Sequence, residues 1–320
     1  MVSVRNLTKQ YGPQYAVDDL SFEVHEGEVL GFLGPNGAGK STTMKSITGF
    51  ITPTSGSISV DGYDVQAQPI EVRRRIGYLP EHNPLYLDMY VREFLRFAGR
   101  IYGYRGAELH RRVGEVVERT GLHPEQHKKI GALSKGYRQR VGLCQALIHD
   151  PAVLILDEPT SGLDPNQVMD IRSLIQEVGK NKTVIFSSHI LSEVEAVASR
   201  VLIINRGKLV ADTPRDRLRD LATDGVRISI ELERPGFDAE AVRAITGVRE
   251  VTLTDETHAE IVCAPDTDIR ADIFRLCVAR QWVLLGMSLH AFTLEEAFRQ
   301  LTRTAATTTP QPPDTDSAGM

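Results

Sequence analysis

"GFLGPNGAGKSTTMKSITGF", Gly31 to Phe50, decides how this chain is read. An apolar stub enters a glycine-studded turn, and a run able to form a helix follows. Gly34 to Ser41 satisfies G-x-x-x-x-G-K-[ST] in full. Glycines let the backbone curl so that successive N–H groups point inward at phosphate oxygens, and the next helix adds its positive N-terminal end. Lys40 then reaches the outer phosphates and the Ser41 hydroxyl can ligate Mg²⁺. The expected nucleotide cradle is Gly34, Pro35, Asn36, Gly37, Ala38, Gly39, Lys40, Ser41 and Thr42.

Hydrolysis of a nucleotide also needs a carboxylate to organise the metal and a group to orient water. "AVLILDEPT", Ala152 to Thr160, ends a continuous apolar run with two acids. In open α/β sheets ligands gather at the carboxyl ends of strands, where the cradle also lies. Asp157 is therefore expected to hold Mg²⁺ and Glu158 to act as general base. His189 directly follows a third apolar run, "TVIFSS", and is placed to face the terminal phosphate.

Around these motifs, short apolar runs alternate with amphipathic stretches as far as Leu218. Strands are expected at Val2–Leu7, Ser21–Val24, Val29–Leu33, Ser57–Val60, Val153–Leu156, Thr183–Ser187 and Val201–Ile204. Helices are expected at Lys40–Gly49, Val91–Gly99, Leu109–Thr120, Tyr137–His149, Gln167–Gly179 and Leu191–Ser199. Uniformly apolar runs imply strands covered on both faces, whereas the N-terminal strands alternate and imply an antiparallel sheet at one side. The fold class is α/β, a P-loop core with an antiparallel addition, followed by a small α+β domain. That second part, 223–302, reads β-α-β-β-α-β, a ferredoxin-like order, and then a helix opened by Thr293. The nucleotide-binding part is expected over 1–222. Residues 303–320 lack periodicity and apolar content and are expected to be disordered.

Net charge is −5 and no long basic block occurs, which argues against nucleic acid as a partner. "RRR", Arg73 to Arg75, reads as a solvated face. No stretch approaches the length of apolar sequence that crosses a bilayer, and the N-terminus lacks a secretory signal's apolar core, so a cytoplasmic chain is expected. Cys144, Cys263 and Cys277 match no metal-binding spacing and read as buried small hydrophobes.

"LSKGYRQRVGLCQALIHDPAVLILDEPTSGLDP", Leu133 to Pro165, resembles the signature, acid strand and dimer loop of ABC-type ATPases. The family's L-S-G-G-Q appears here as Leu133-Ser134-Lys135-Gly136-Tyr137. A hydroxyl, backbone N–H groups and a helix N-terminus at Tyr137 can still face an anion. The resemblance covers about residues 2–215. It implies an α-helical subdomain and a head-to-tail dimer, in which Ser134 and Gly136 close over the nucleotide of a second protomer and Asp164 pairs across the dimer. It also makes Tyr11 the adenine-stacking aromatic, Val17 the ribose-side residue and His189 the switch histidine. In "IGYLPEHNPLY", Glu81 stands where the family commonly has a metal-touching glutamine that contacts the transport subunit. "HNPLYLDMY" is then expected to face a separate transmembrane permease.

The same resemblance implies ATP and Mg²⁺ as ligands and attachment to the inner face of the plasma membrane. More narrowly, "IGYLPEHNPLYLDMYVREFLRF" is similar to the ATP-binding subunits associated with bacterial gliding motility. Exporter motor is the first reading. A soluble ABC ATPase acting on ribosomes or nucleic acid is the alternative, disfavoured by a single motif set with no room for a long coiled coil between Lys40 and Asp157. A non-hydrolysing binding module is disfavoured by the intact Asp157, Glu158 and His189.

Overall fold

The computed structural model of this chain describes residues 1–222, 226–264 and 267–291. The chain separates into two compact units that divide between Arg215 and Asp216. The helix expected at 293–302 and the tail at 303–320 lie outside the described residues.

In the first unit, β1 (Val2–Tyr11) and β2 (Gln14–Val24) form an antiparallel hairpin. Both strands outrun their apolar cores. Asn6 and Asp19 sit in the left-handed region, joined by a 2.8 Å side-chain hydrogen bond, and the pairing shifts register beside them. A bulged pair of this kind bends a strand and lets it continue past the point where alternation is lost. β3 (Val29–Leu33) feeds α1 (Lys40–Ile47). β4 (Ser55–Val60) and the short β5 (Tyr63–Asp64) complete an antiparallel sheet of order β2-β1-β4-β5.

Next come α2 (Pro69–Arg75), which carries the arginine run on its last turn, and β6 (Ile76–Leu79). α3 (Val91–Ile101), α4 (Gly106–Arg119) and α5 (Lys135–Leu147) pack against one another as a helical layer. α5 starts at Lys135 and not Tyr137, because Ser134 takes the N-cap and accepts a 3.4 Å hydrogen bond from the Tyr137 N–H.

β7 (Val153–Leu156), α6 (Pro165–Gly179), β8 (Thr183–Ser188), α7 (Leu191–Val197), β9 (Arg200–Asn205) and β10 (Lys208–Pro214) finish the unit. The central sheet has the order β10-β9-β3-β8-β7-β6, parallel except for the β10 edge. Every residue of β3, β7 and β8 is buried, as a strand covered on both faces requires. β8 lies between β3 and β7, so the loops leaving all three strands open side by side at one end of the sheet.

The second unit has its own core around Ile228, Ile230, Ile261 and Ile273. Its elements are β11 (Val226–Leu232), α8 (Ala239–Arg243), β12 (Val248–Leu253), β13 (His258–Cys263), α9 (Arg270–Ala279) and β14 (Leu284–Ala291). The sheet is antiparallel, ordered β12-β13-β11-β14. α8 is brief because Asp238 caps its start and Gly247, at φ 99°, turns the chain soon after its end.

Candidate functional site

The loop between β3 and α1 curls through two left-handed glycines, Gly37 and Gly39. Gly39 occupies the N-cap of α1, and a β-carbon there would land on the Ala16 carbonyl oxygen, so only glycine fits. No side chain caps α1 and no acid lies in its first turn. The amides at that end stay open to an anion, which the helix dipole favours by about 1 kcal/mol. Hydrogen bonds from Ala38 N–H to the Pro35 carbonyl (3.1 Å) and from Gly207 N–H to the Ala38 carbonyl (2.8 Å) hold the curl. Gln14, Ala16, Asn36, Gly37, Ala38, Gly39, Lys40, Ser41, Thr42, Glu81 and Glu158 line a cleft of about 440 Å³ here.

Lys40 is 6% exposed. Its ammonium donates to the carbonyls of Gly34 (2.7 Å) and Pro35 (3.3 Å) and pairs with Glu158 Oε1 at 3.2 Å. Asp157, at the end of β7, accepts on Oδ1 from the hydroxyls of Ser41 (3.0 Å) and Ser187 (2.8 Å). Its other oxygen is buried with no hydrogen-bond partner. Burial lifts the Asp157 carboxyl above its usual range, the two serine hydroxyls pull it back, and Glu81 and Glu158 push it further up. An orphaned carboxylate oxygen beside a hydroxyl is the hard donor set a magnesium ion takes. Among the described residues no cluster of three or more His, Cys, Asp or Glu side chains forms a ready-made metal cage. Such an ion would complete its shell with phosphate oxygens and water, as Mg²⁺ usually does.

Glu158 is buried and holds a left-handed backbone, φ 48°. Its N–H donates to Ser187 Oγ (2.8 Å), and its Oε2 lies 2.8 Å from His189 Nδ1. The sheet order therefore brings Lys40, Asp157, Glu158 and His189 to one place.

Most other residues named from sequence fall elsewhere. Val17 is 0% exposed and packs into the core, so it does not line the cleft. Strand alternation turns its neighbour Ala16 outward instead, and Gln14 joins it there. Tyr11 is exposed at the end of β1, with the Lys9 ammonium 5.0 Å from its ring centre, outside the cleft lining. Ser134 is exposed at the start of α5, and Gly136 is buried against the Gln167 side chain, which a β-carbon would strike. Asp164 caps α6, accepting from the N–H groups of Asn166 and Gln167 at 3.0 Å each. Glu81 is exposed and borders the cleft.

Two positions escaped the sequence reading. Gln139, inside α5, donates to the Pro159 carbonyl at 3.2 Å. Glu193, in the first turn of α7, accepts from Thr160 (2.7 Å) and Ser188 (2.8 Å). An acid four residues beyond the histidine was the available signal for Glu193, but a lone acid in a short helix reads as solvated until the strand order is known.

Residues 17–161 match the ABC transporter family model. The chain is 34% identical over 310 residues to the linearmycin resistance ATP-binding protein LnrL of Bacillus subtilis (strain 168), covering 94% of this chain and 98% of that one. The chain belongs to the ABC transporter ATP-binding family. This ABC ATPase is also 42% identical over 223 residues to the bacitracin transport ATP-binding protein BcrA of Bacillus licheniformis, covering 68% of this chain and 71% of that one. Among solved structures it resembles the cassette MJ0796 in a dimeric post-hydrolysis state bound to ADP and Pi (TM-score 0.62, 26% identity, 67% of this chain and 99% of that one). It is an ATP hydrolase built on the P-loop ABC fold, an ABC transporter ATP-binding subunit.

Proposed function

We propose that this ABC ATPase drives a membrane exporter of toxic small molecules, acting as a head-to-tail dimer attached to a separate permease at the inner face of the plasma membrane. The observation that carries the reading is the convergence of Lys40, Asp157, Glu158 and His189 at the mouth of one cleft. Relatives named for bacitracin transport and linearmycin resistance support the cargo class. The relatives described above carry no gliding-motility name, and neither that association nor the ribosome or nucleic-acid reading is part of the proposal.

The amides of Gly37 to Thr42 and the Lys40 ammonium receive the β- and γ-phosphates. Ser41, Asp157 and Glu81 would hold Mg²⁺, which would neutralise charge on the phosphoryl oxygens. Lys40 prefers the denser charge of a terminal phosphate to the Glu158 carboxylate, and its departure frees Glu158 Oε1 for water. Glu158 takes the proton as water oxygen bonds to the γ-phosphorus and the bond to the β-phosphate oxygen breaks, releasing ADP and phosphate. His189, through Nδ1, fixes the other Glu158 oxygen. Ser134 and Gly136 of a second protomer close the cleft.

A groove of about 380 Å³ adjoins the cleft, lined by Lys45, Phe50, Tyr78, Glu81, Pro84 and Gln145 among others. Phe50 (74% exposed) and Ile101 (68%) stand out with Tyr86 and Phe97, whose rings meet edge to face at 6.0 Å. Exposed apolar side chains of this size suit a partner protein, and the permease is the partner proposed. Size-exclusion chromatography with Mg-ATP tests the reading. Glu158→Gln should elute as an ATP-stabilised dimer and hydrolyse at least about 100-fold more slowly, whereas Lys40→Ala should stay monomeric. Wild-type hydrolysis in Glu158→Gln would remove Glu158 from the role of base.

A further inference from the structure

Two loops must be held still for this chemistry: the turn after β7, which carries Glu158, and the end of β8, which carries His189. The Glu158 turn is strained, because a left-handed backbone at a residue with a side chain persists only where its surroundings over-determine it. Three elements do so. Ser187 on β8 accepts from the Glu158 N–H, and Gln139 on α5 binds the Pro159 carbonyl. The third is Glu193 on α7. It is 7% exposed, and its Oε2 accepts from both Thr160 Oγ1 at 2.7 Å and Ser188 Oγ at 2.8 Å. Thr160 lies two residues past Glu158, and Ser188 lies immediately before His189.

We propose that Glu193 is a positioning residue that ties the Glu158 turn to the His189 loop through one carboxylate oxygen and two buried hydroxyls. The inference rests on the catalytic reading of Glu158 and His189 given above. Ser188 also accepts from the Ile190 N–H at 3.0 Å, so the clasp reaches both sides of His189. The 2.8 Å contact between His189 and Glu158 spans two separate loops, and its length depends on their relative placement. Glu193 is not among the residues that line the nucleotide cleft; it borders a neighbouring cavity of about 500 Å³ with Glu158, Thr160 and His189. Its loss should therefore slow turnover and leave nucleotide affinity alone.

Steady-state ATPase assays and fluorescent-nucleotide titration on the full chain test this, with Glu158→Gln as comparator. Glu193→Ala should lower kcat roughly 10- to 100-fold, the effect of a displacement near 1 Å at a reacting group, with nucleotide Kd unchanged. Glu193→Gln keeps an acceptor oxygen for both hydroxyls and should restore most of the rate. Adding Glu193→Ala to Glu158→Gln should cause no further loss, because the two act as a unit. If Glu193→Ala fails to fold, Thr160→Val carries the test and should lower kcat without moving Kd. Wild-type kcat in these variants, or equal losses of kcat and affinity without rescue by glutamine, overturns the proposal. An active Glu158→Gln overturns the catalytic reading itself; an inactive one beside a fully active Glu193→Ala overturns only the positioning role.

Discussion

Asp157 is held where a lone carboxylate is least comfortable. Burial raises its affinity for a proton, and the nearby charges of Glu81 and Glu158 add to the effect. A carboxyl whose folded value exceeds its unfolded one destabilises the fold as pH rises through that interval, and the deficit is complete above the folded value. Asp157→Asn should therefore raise Tm of the nucleotide-free protein by about 2–4 °C, the shift for roughly 1 kcal/mol in a domain of this size, while abolishing hydrolysis. A lower Tm in differential scanning calorimetry would show that the serine bonds outweigh burial. The cradle around this residue was legible because covalent spacing alone fixes Gly34 to Ser41. The inward packing of Val17 was not legible, because a single step of strand parity exchanges inside for outside, and the bulged hairpin hides that parity. Glu193 was invisible because its two partners come from distant segments.

Among the elements, α5 links the most distant chemistry. It is capped by Ser134 and ends near His149, whose Nε2 lies 3.1 Å from the Ile76 carbonyl on β6. The His149 ring stacks on Tyr102 at 3.8 Å, and its Nδ1 is buried without a partner. Burial drives its pKa from 6.5 to about 4; the Ile76 bond and Asp150 oppose the drop, and Lys182 and Arg112 reinforce it. Here the unfolded chain binds a proton that the folded one refuses, so stability falls as pH drops from 6.5 toward 4. His149→Phe should flatten that part of a urea-denaturation pH series by a few kcal/mol at most. An unchanged slope would assign the loss to other groups. The sequence announced α5, β7 and β8 through length and unbroken apolarity. β6 is as short as β7, but Gly77 and Tyr78 interrupt its apolar run, and α2 carries too few residues for periodicity, so only their neighbours select them.

Across the whole molecule, each unit has its own core, the first built on two sheets and the second on one. The first was legible because its chemistry is written in contiguous motifs. The second was legible as an element order alone, since its residues do packing and advertise no reaction. One side chain of the first unit merits a longer view: Glu81 forms part of the wall of both the nucleotide cleft and the apolar groove. A hydrophobic segment seated in that groove expels water from beside Glu81 and Asp157. With the local dielectric lowered, their repulsion grows and the two carboxylates compete harder for a divalent cation. Docking would thus be felt at the metal before any helix moves. Glu81→Gln should weaken Mg²⁺ dependence of ATPase and erase the change in that dependence caused by the permease. Identical Mg²⁺ titrations in both proteins would leave the shared wall electrically silent.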